Sequence, residues 1–513
     1  MLIVGLLTGW MSGRLYIPSA LYEKNVYTDP VALYFEQLFV KGFVLRMKNE
    51  PAIYAWDLGN ECNCMDEAKN RVEASNWTAA IVHAIRAYDP QRPIVSGMHS
   101  LELEGVWNIQ DQGEWTDILT THPYPFWVEH CQFDKLTDFR TLLHATAQTK
   151  YYASVSHKPC LVEEIGSMGP MIASDNRAAG FLKANLWSNW AHGSPGVLWW
   201  CANEQAHLDA APYDWKMFER ELGMLNAQRE PKPVLLAMKD FAGQMQKLNL
   251  DLPQAKRDAV CILSHGQDHW GIAYMSFLLA KQAGITLDFA YSGQELPDSP
   301  VYFLPSVRGE VMNKRPYEKL KQKVRDGAVL YISMNDGAFS EFEAFTGLQV
   351  EDARRAPLQG TFDWNGQDLP YRKTYQAMFN PTRAEVLAAQ EDGNPLFTVA
   401  SYGKGRVYFL NFPLEEMMLT QENAFKMGFH TLYGKVMEDE TLPKKAIRRE
   451  NPLVGLTIHP GETEDYAVLV NYSDQPQAAQ LDVDSTYYHS VTALYGNAEQ
   501  LEPFGAAVFK LTK

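Results

Sequence analysis

Short apolar runs alternate with helix-length segments over the first 245 residues, and this alternation constrains the fold more than any other feature. The runs that read as strands lie at 2–7, 52–58, 93–97, 117–121, 160–164 and 196–201. Helical patterns separate them, for example from Asp29 to Lys48 and from Ala68 to Tyr88. Strands that alternate with helices form a parallel sheet, and its functional groups gather at the carboxyl ends of the strands. We therefore expect an α/β fold of the TIM-barrel type over residues 1–245.

Two further regions follow this first domain. Residues 258–440 show a second α/β rhythm, which predicts a small doubly wound domain. Residues 446–513 change to short alternating runs without helix, which is typical of a small antiparallel β-sandwich. The first domain has six β/α units by this count, whereas a complete (β/α)₈ barrel has eight. Either two units are absent or the count is too low.

The charge balance limits the partners of the chain. Lys and Arg number 46 against 62 Asp and Glu, which gives a formal net charge of −16. This charge argues against a nucleic-acid partner, which requires clustered cationic side chains. No apolar stretch reaches membrane-spanning length, and the apolar N-terminus lacks the positive flank and cleavage site of a signal peptide. We expect a cytoplasmic protein that binds neither nucleic acid nor membrane.

Cys62 and Cys64 follow directly after Glu61, and this spacing raises the question of a metal site. A structural zinc site requires four well-spaced Cys or His ligands, and the sequence offers no second close pair. The chain has six cysteines in 513 residues, which is few. We therefore expect free buried thiols in a reducing compartment, with no metal and no cofactor.

Two carboxylates stand where predicted strands end. Glu61 follows Asn60 at the entry to a loop, and Glu164 ends the run at 160–164. Glycoside hydrolysis uses a pair of carboxyl groups that flank the scissile bond, and two carboxylates on one face of a barrel fit this requirement. Glu61 is the candidate acid/base, with a pKa that burial and the second carboxylate should raise. Glu164 is the candidate nucleophile, because Glu163 and Glu164 face opposite sides of a strand and only one can enter the cleft.

Other polar and aromatic residues end neighbouring strands. His122 and Tyr124 can hydrogen-bond the nucleophile and help to keep it ionised. Trp199 and Trp200 face opposite sides of their strand, so we expect Trp200 to form the floor of a sugar site and Trp199 to pack in the core. Asn60 is expected to bind the sugar 2-hydroxyl. The alternative is that these residues have structural roles only, the histidine as a cap at the strand end.

At these residues the chain resembles glycoside hydrolase clan A. Members of that clan carry the acid/base in an Asn-Glu pair after the fourth barrel strand and the nucleophile after the seventh. Asn60-Glu61 and Glu164-Ile-Gly166 match those positions. The resemblance implies a glycoside hydrolase whose substrate is a glycoside or oligosaccharide.

Two further motifs extend the resemblance. His122-Pro-Tyr124 matches the sixth-strand motif of the clan, and Trp200 matches its eighth-strand tryptophan. Residues 1–245 are similar to the family 5 group of cellulases and mannanases. The order of the three domains is similar to that of family 42 β-galactosidases, whose flavodoxin-like middle domain mediates trimerisation.

The resemblance also exposes a departure. It makes the run at 2–7 the third barrel strand, so the first two β/α units are absent, together with a second-strand arginine that lies near the nucleophile in family 5. An open sheet of six units exposes strand edges that proteins normally cover. We expect another subunit or another segment of this chain to cover the gap, which implies a homo-oligomer, either a dimer or a trimer.

The resemblance implies a retaining exo-β-glycosidase acting on β-galactosides, β-glucosides or β-mannosides. Glu164 attacks the anomeric carbon in this mechanism, while Glu61 protonates the leaving oxygen and later activates water. Exo action is expected by analogy with proteins in which accessory domains close off a cleft, so that it becomes a pocket. One alternative is a non-catalytic carbohydrate-binding or scaffold protein derived from a glycosidase. Another is a transglycosidase that passes the sugar to an acceptor.

Overall fold

A computed structural model describes residues 1–126, 128–167, 169–211, 213–214 and 216–513. The chain forms two compact units. Unit 1 contains residues 1–128 and 148–244, and unit 2 contains residues 129–147 and 245–513. The domain boundaries expected at 245–258 and 440–446 stay predictions.

Helices and strands alternate along most of the chain. The α-helices are α1 (Pro30–Met47), α2 (Arg71–Arg86), α3 (Ile109–Trp115), α4 (Phe139–Leu142), α5 (His144–Ser156), α6 (Asp175–Ala191), α7 (Pro233–Leu248), α8 (His269–Gln282), α9 (Lys314–Asp326), α10 (Phe342–Thr346), α11 (Leu414–Leu419) and α12 (His430–Met437). The strands of unit 1 are β1 (Leu2–Leu7), β2 (Trp10–Met11), β3 (Arg14–Leu15), β4 (Ile53–Gly59), β5 (Ile94–Val95), β6 (Leu119–Thr121), β7 (Cys160–Ile165) and β8 (Val197–Trp199).

The strands of unit 2 continue the numbering. They are β9 (Ala259–Leu263), β10 (Leu287–Tyr291), β11 (Val301–Val307), β12 (Val329–Met334), β13 (Leu348–Trp364), β14 (Gln367–Pro381), β15 (Glu385–Ala389), β16 (Pro395–Tyr402), β17 (Gly405–Leu410), β18 (Ile447–Arg449), β19 (Val454–Pro460), β20 (Glu464–Asn471), β21 (Leu481–Val483), β22 (Ser490–Tyr495) and β23 (Ala506–Thr512). Short 3-10 turns lie at Ser19–Leu21, Cys62–Cys64, Met217–Glu221 and Ala424–Lys426.

Unit 1 is built on six parallel strands. They form two sheets with the orders β1-β4-β5 and β6-β7-β8. A parallel bridge between Val95 and Ile118 links the two sheets, so the six strands follow one another in chain order. Among the described residues, β1 and β8 each pair with a neighbouring strand on one side only.

Local sequence signals explain where the first helices begin. Asp29 accepts hydrogen bonds from the backbone N–H groups of Val31 and Ala32, and Pro30 occupies the first turn of α1, a position that tolerates a missing N–H. Asn70 caps α2 in the same way. The strands between these helices bury a cluster of apolar side chains, formed by Ala55, Val95, Ile118 and Leu161.

Helix α1 is apolar on two faces. Its inner face buries Ala32, Val40 and Val44. Its outer face carries large apolar side chains that are 42–62% exposed, namely Val31, Tyr34, Phe35, Leu38, Phe39 and Leu45. A helix that is apolar all round is normally buried, so the outer face of α1 is an unusual feature. In the last strand of the sheet, the Leu198 side chain is 45% exposed.

Unit 2 contains a seven-stranded sheet with the order β10-β9-β11-β12-β17-β16-β15. Its first five strands are parallel and follow the doubly wound order found in flavodoxin, whereas β16 and β15 are antiparallel. The long hairpin formed by β13 and β14 was not predicted from the sequence. Asn365 and Gly366 form its two-residue turn, with φ angles of 55° and 79°.

The C-terminal part of unit 2 is all β. Four antiparallel strands have the order β19-β20-β23-β22, and β18 pairs with β21. Their facing sides bury a separate apolar cluster that includes Val454, Leu469 and Leu511. No helix among the described residues is long and apolar enough to cross a membrane.

Candidate active site

The predicted site residues all follow or end strands of the parallel sheets in unit 1. Asn60 and Glu61 follow β4, His122 follows β6, Glu164 lies in β7 and Trp200 follows β8. The carboxyl ends of parallel strands share one edge of a sheet, so the four strands bring these side chains together. The six residues proposed from sequence, Tyr124 among them, therefore lie close together in the structure.

His122 is the centre of the carboxylate cluster. Its Nδ1 lies 3.0 Å from Glu61 Oε1 and 3.4 Å from Glu164 Oε2, and its Nε2 lies 3.3 Å from Glu163 Oε2. Burial acts to lower the pKa of His122, but the Glu164 charge and the hydrogen bonds to Glu163 and Glu61 outweigh it and raise the pKa well above its ordinary value. This shift favours the protonated imidazole, which can donate from both nitrogens.

Glu164 is held by a second donor. The Tyr124 hydroxyl donates a hydrogen bond to Glu164 Oε1, and Tyr124 packs against Gly166, where an added Cβ would lie 3.2 Å from the tyrosine ring. Burial raises the pKa of Glu164 to about 7, although the His122 charge and the Tyr124 hydroxyl both act to lower it. The two residues thus stabilise the carboxylate as expected, but burial has the larger effect.

Glu61 has the opposite shift from the one expected. Burial raises its pKa, but the hydrogen bond from His122 and the charges of His99 and His122 outweigh burial, so the pKa is lowered. The expectation of a raised pKa for Glu61 is wrong for this structure, because the sequence did not reveal two histidines beside the carboxylate. Glu61 also has a left-handed backbone, with a φ angle of 46°, a conformation that non-glycine residues rarely adopt.

Glu163 contacts His122 from the opposite side to Glu61. It neighbours the buried Asp57, whose pKa is raised well above its ordinary value by burial and by the Glu163 charge. The Glu163 carboxylate is thus paired locally with His122. Among the described residues, Glu164 lines the cavity described below and Glu163 does not.

A cavity of about 200 Å³ lies in front of the carboxylates. Its described lining consists of Met11, Ser12, Gly13, Asn60, Glu61, Tyr124, Glu164, Trp200, Lys216 and Glu219. The Asn60 side chain donates from Nδ2 to the Trp10 carbonyl, at 2.8 Å, which ties the strand end to the β2–β3 hairpin. Asn60 therefore lines the cavity with its amide nitrogen bound to the backbone, and its binding of a sugar hydroxyl stays a prediction.

The two tryptophans at the end of β8 differ in their surroundings. Trp200 lines the cavity, and its Nε1 donates to Glu219 Oε2 at 3.0 Å. Trp199 is 8% exposed, and its Nε1 donates to the Leu222 carbonyl at 3.1 Å. The peptide bond between Trp200 and Cys201 is cis. These positions agree with the preference for Trp200 over Trp199, whose role in binding stays a prediction.

Sequence reasoning missed several residues of the site. Lys216 and Glu219 line the cavity from a segment outside the regular β/α rhythm, and no motif marks them. Gly13 faces Lys216, since an added Cβ there would lie 2.6 Å from Lys216 Nζ, and its φ angle is 75°. The burial of Glu219 raises its pKa, partly opposed by the hydrogen bond from Trp200. A third carboxyl group, besides those of Glu61 and Glu164, therefore lies at the cavity wall.

The thiols agree in part with expectation. All six cysteines are free, and five of them are buried. Cys64 is half-buried, and its Sγ lies 3.1 Å from His99 Nε2. His99 was also missed from sequence, because it belongs to the segment after β5 and reaches Glu61 only through the fold, with Nδ1 at 4.0 Å from Oε1.

Known proteins with related sequences are β-mannosidases. No known family profile matches the chain. It is 27% identical over 199 residues to mannan endo-1,4-β-mannosidase F of Aspergillus clavatus, which covers 37% of this chain and 43% of that protein. It is 31% identical over 159 residues to mannan endo-1,4-β-mannosidase A of Podospora anserina, which covers 28% of this chain and 39% of that protein. The chain thus spans about two fifths of the length of these curated relatives.

Solved structures of glycosidases share the fold over most of the chain. An exo-β-1,4-mannosidase from Opitutaceae bacterium strain TAV5 aligns with a TM-score of 0.72 and 20% identity, covering 86% of this chain and 83% of that one. A β-galactosidase from Bacillus circulans sp. alkalophilus aligns with a TM-score of 0.67 and 12% identity, covering 99% and 86%. The fold is therefore the α/β fold of TIM-barrel glycosidases. Together the sequence relatives and the shared fold confirm the prediction from the motifs: the chain is related to the glycoside hydrolases of clan A.

Proposed function

We propose that this chain is a retaining exo-β-glycosidase with Glu164 as nucleophile and Glu61 as acid/base. The observation that carries the proposal is the shared contact of both carboxylates with His122 Nδ1, at 3.0 Å and 3.4 Å. The sum of these distances is the largest separation that the two contacting oxygens can have. Two carboxylates that contact the same nitrogen favour the short separation of retaining enzymes, roughly 5–5.5 Å between carboxyl groups, over the roughly 6.5–9.5 Å of inverting enzymes. The arrangement thus supports double displacement.

In the first step, an oxygen of Glu164 attacks the anomeric carbon and the bond to the leaving oxygen breaks. Glu61 gives its proton to that leaving oxygen. In the second step, Glu61 takes a proton from water, the water oxygen attacks the anomeric carbon and the Glu164 ester bond breaks. The two inversions leave the product in the β configuration. The His122 cation stabilises whichever carboxylate is ionised at each stage.

The proton of the free site is on the other carboxyl group. With a lowered pKa for Glu61 and a pKa of about 7 for Glu164, most molecules between these values carry the proton on Glu164. Catalysis uses the less populated form, in which Glu61 holds the proton and Glu164 is ionised. Both forms hold one proton, so their ratio does not change with pH. We assign the transfer of this proton from Glu164 to Glu61 to His122, which contacts both carboxylates.

The dimensions of the cavity support exo action. Its volume of about 200 Å³ is below the roughly 300–1,000 Å³ of sites that enclose drug-sized ligands. The hairpin residues Met11, Ser12 and Gly13 form part of the lining. This space suits one sugar ring better than a long chain of rings. β-Mannosides are the first substrates to test, because the sequence relatives and one structural neighbour are named as mannosidases; β-galactosides and β-glucosides are the alternatives.

The proposal is tested with nitrophenyl β-mannoside, β-galactoside and β-glucoside on the wild type and on Glu164→Gln and Glu61→Gln. We expect one β-glycoside to be hydrolysed by the wild type, and Glu164→Gln to reduce the rate by at least about 10³-fold. NMR spectra recorded early in the reaction should show that the sugar is released as the β anomer. Release of the α anomer would overturn the retaining mechanism. A wild type that binds the sugar but hydrolyses none would favour a non-catalytic carbohydrate-binding protein.

Azide distinguishes the roles of the two carboxylates. If Glu61 is the acid/base, azide attacks the glycosyl-enzyme in Glu61→Gln and yields a β-glycosyl azide. If Glu164 is the nucleophile, azide replaces it in Glu164→Gly and yields an α-glycosyl azide. The reverse pattern would exchange the roles of Glu61 and Glu164. If a sugar acceptor at low concentration attacks the glycosyl-enzyme in place of water and gives a disaccharide, the transglycosidase is favoured.

We also propose that another subunit of a dimer or trimer, or another segment of this chain, covers the open side of unit 1. The single-sided pairing of β1 and β8, the 45% exposure of Leu198 and the apolar outer face of α1 support this. Parallel strands in α/β proteins are normally buried on both faces. A cytoplasmic location is part of the same proposal.

A further inference from the structure

Three metal-binding side chains of different chemistry meet beside the cavity. The ligand atoms of Glu61, Cys64 and His99 all lie within 4.8 Å of one another, and each residue is half-buried. Cys64 is the half-buried exception among the six cysteines of the chain. Its neighbour Cys62 is fully buried, and the Cys62 sulfur faces the Leu7 carbonyl at 3.7 Å. One thiol of the Cys-Asn-Cys turn is therefore placed to bind a ligand, and the other is not.

Hydrogen bonds fix the ligand atoms in position. Asn63 Nδ2 donates to the His99 carbonyl at 2.7 Å, and the His99 N–H donates to Asn63 Oδ1 at 3.3 Å. The Ser100 hydroxyl contacts His99 Nδ1 at 3.1 Å. If that nitrogen carries the proton, Nε2 presents its lone pair to the Cys64 sulfur, as metal binding requires. Such partners around a ligand orient it and strengthen metal binding.

The donor set selects a class of cation. One sulfur, one imidazole nitrogen and one carboxylate oxygen suit Zn²⁺ and the related thiophilic ion Cd²⁺, and disfavour Mg²⁺ and Ca²⁺, which take oxygen ligands. Zinc lies about 2.3 Å from sulfur and about 2.0–2.2 Å from nitrogen or oxygen. In tetrahedral geometry these bond lengths place ligand atoms roughly 3.3–3.6 Å apart. Cys64 Sγ and His99 Nε2 are already 3.1 Å apart, so closing the site from its present limit of 4.8 Å requires a rotation of the Glu61 side chain that moves its oxygen by about 1 Å. Three protein ligands leave a fourth position for water.

We propose that Glu61, Cys64 and His99 form a binding site for a thiophilic divalent cation, and that the bound ion inhibits the glycosidase. The inhibition rests on the proposed role of Glu61 as acid/base, whereas the binding does not. When the ion binds, the Cys64 thiol loses its proton to solvent, a sulfur–metal bond forms and the ion loses coordinated water. No electron is transferred. A carboxylate bound to the metal cannot protonate the leaving oxygen, so a chelator should restore activity.

A cadmium titration of the full chain tests the site without substrate. Cd²⁺ bound to a thiolate absorbs in the ultraviolet through charge transfer from sulfur. We expect one equivalent of Cd²⁺ to produce this band in the wild type and in the control Cys62→Ser. Cys64→Ser should lose the band, and His99→Gln should weaken Cd²⁺ binding at least tenfold. An equal band in Cys64→Ser would overturn the site, because the sulfur would then come from another cysteine.

The inhibition is measured separately on the best nitrophenyl substrate. Zn²⁺ should reduce the wild-type rate at least tenfold, with recovery after addition of EDTA, and should inhibit Cys64→Ser at least tenfold less, each relative to its own metal-free rate. Equal inhibition of both proteins would overturn the link between the site and catalysis. A cadmium band in a protein that hydrolyses no glycoside would overturn the proposed function and leave the metal site standing. Hydrolysis of a glycoside by a protein that gives no cadmium band would overturn the metal site and leave the proposed function standing.

Discussion

The Tyr124 hydroxyl donates a hydrogen bond to Glu164, the carboxyl group whose pKa burial raises to about 7. The hydroxyl opposes that increase, because a donor stabilises the ionised form. The pair of Glu61 and Glu164 loses its last proton as the pH rises through the higher of its two pKa values. Activity should therefore decline above about pH 7, although Glu61 itself has a lowered pKa.

Replacing Tyr124 by Phe should move this alkaline limb to higher pH. Without the hydroxyl, the pKa of Glu164 increases, so the proton stays on Glu164 to higher pH. The same change reduces the fraction with the proton on Glu61, by about tenfold for each pKa unit, so the plateau of kcat/KM should decrease. The measurement is a pH profile of kcat/KM for wild type and variant. A limb that moves to lower pH would contradict the assignment of the higher pKa to Glu164.

Replacing Trp200 should weaken substrate binding, whereas replacing Trp199 should lower the stability of the fold. Trp200 lines the cavity, so Trp200→Ala should raise KM about tenfold, equivalent to about 1.4 kcal/mol of binding free energy, with a small effect on the unfolding temperature. Trp199 is nearly buried, so Trp199→Ala should lower the free energy of unfolding by about 3–5 kcal/mol. Steady-state kinetics and thermal unfolding measure the two effects. A larger KM effect for Trp199 than for Trp200 would reverse the assignment of the sugar-facing ring.

The outer face of α1 should tolerate charge when the inner face does not. Phe35 and Leu38 are both 47% exposed, so the double change to Glu should alter the unfolding free energy of the isolated chain by less than about 1 kcal/mol. It should also reduce binding of a hydrophobic dye, because it breaks an exposed apolar patch. The matched control is Val40→Glu on the inner face, which places a charge at a fully buried position and should unfold the protein.

Sedimentation of the same α1 variant identifies what covers the face. If a second copy of the chain covers it, the wild type should sediment as an oligomer and the Phe35, Leu38 double variant as a monomer. If a separate segment covers it, both proteins should sediment alike without that segment, and adding the segment should raise the activity of the wild type more than that of the variant. Equal unfolding by the outer-face and inner-face changes would contradict the proposed cover.

Arg140 should be a main source of stability in unit 2. Its guanidinium is fully buried and donates to the carbonyl groups of Met418, Leu419 and Gln421, while Nε lies 3.0 Å from Asp134 Oδ2. Arg140→Met leaves the carboxylate without its cation, and such changes cost about 3–5 kcal/mol. Urea unfolding of unit 2, followed by circular dichroism, measures the loss.

The matched control for Arg140 is Arg354→Met. Arg354 is exposed and contacts only the Gln376 side-chain oxygen among its hydrogen-bond partners in the described residues. Its replacement should change the unfolding free energy by less than about 1 kcal/mol. An Arg140 variant as stable as the Arg354 variant would show that the buried ion pair adds no net stability.

The strands of unit 1 could be predicted because buried parallel strands read as continuous apolar runs. The run predicted at 52–58 lies in the structure at Ile53–Gly59, and that at 160–164 at Cys160–Ile165. The long hairpin of unit 2 was missed, although its turn carries the Asn-Gly signal of a two-residue hairpin. Asn365 and Gly366 lie within the region predicted as a doubly wound domain, in which parallel strands and helices alternate and a long hairpin is not expected.

The carboxylate pair was predictable, but the order of its pKa values was not. Each carboxylate has a local motif in the sequence, whereas a pKa depends on every neighbour that the fold supplies. His99 reaches Glu61 from a different β/α unit, and this contact helps to lower the pKa of Glu61. Lys216 and Glu219 were missed for the same reason, because they reach the cavity from an irregular segment without a motif of its own.

The hydrogen bond from Asn60 to the Trp10 carbonyl fixes the orientation of the Asn60 side chain at the cavity. An amide nitrogen carries two N–H groups, and in Asn60 one of them is bound to the backbone of the β2–β3 hairpin. The bond therefore holds the plane of the amide, so that its second N–H and its oxygen keep fixed directions. A change that removed the hairpin contact would leave both polar groups of Asn60 in place but would let the amide rotate.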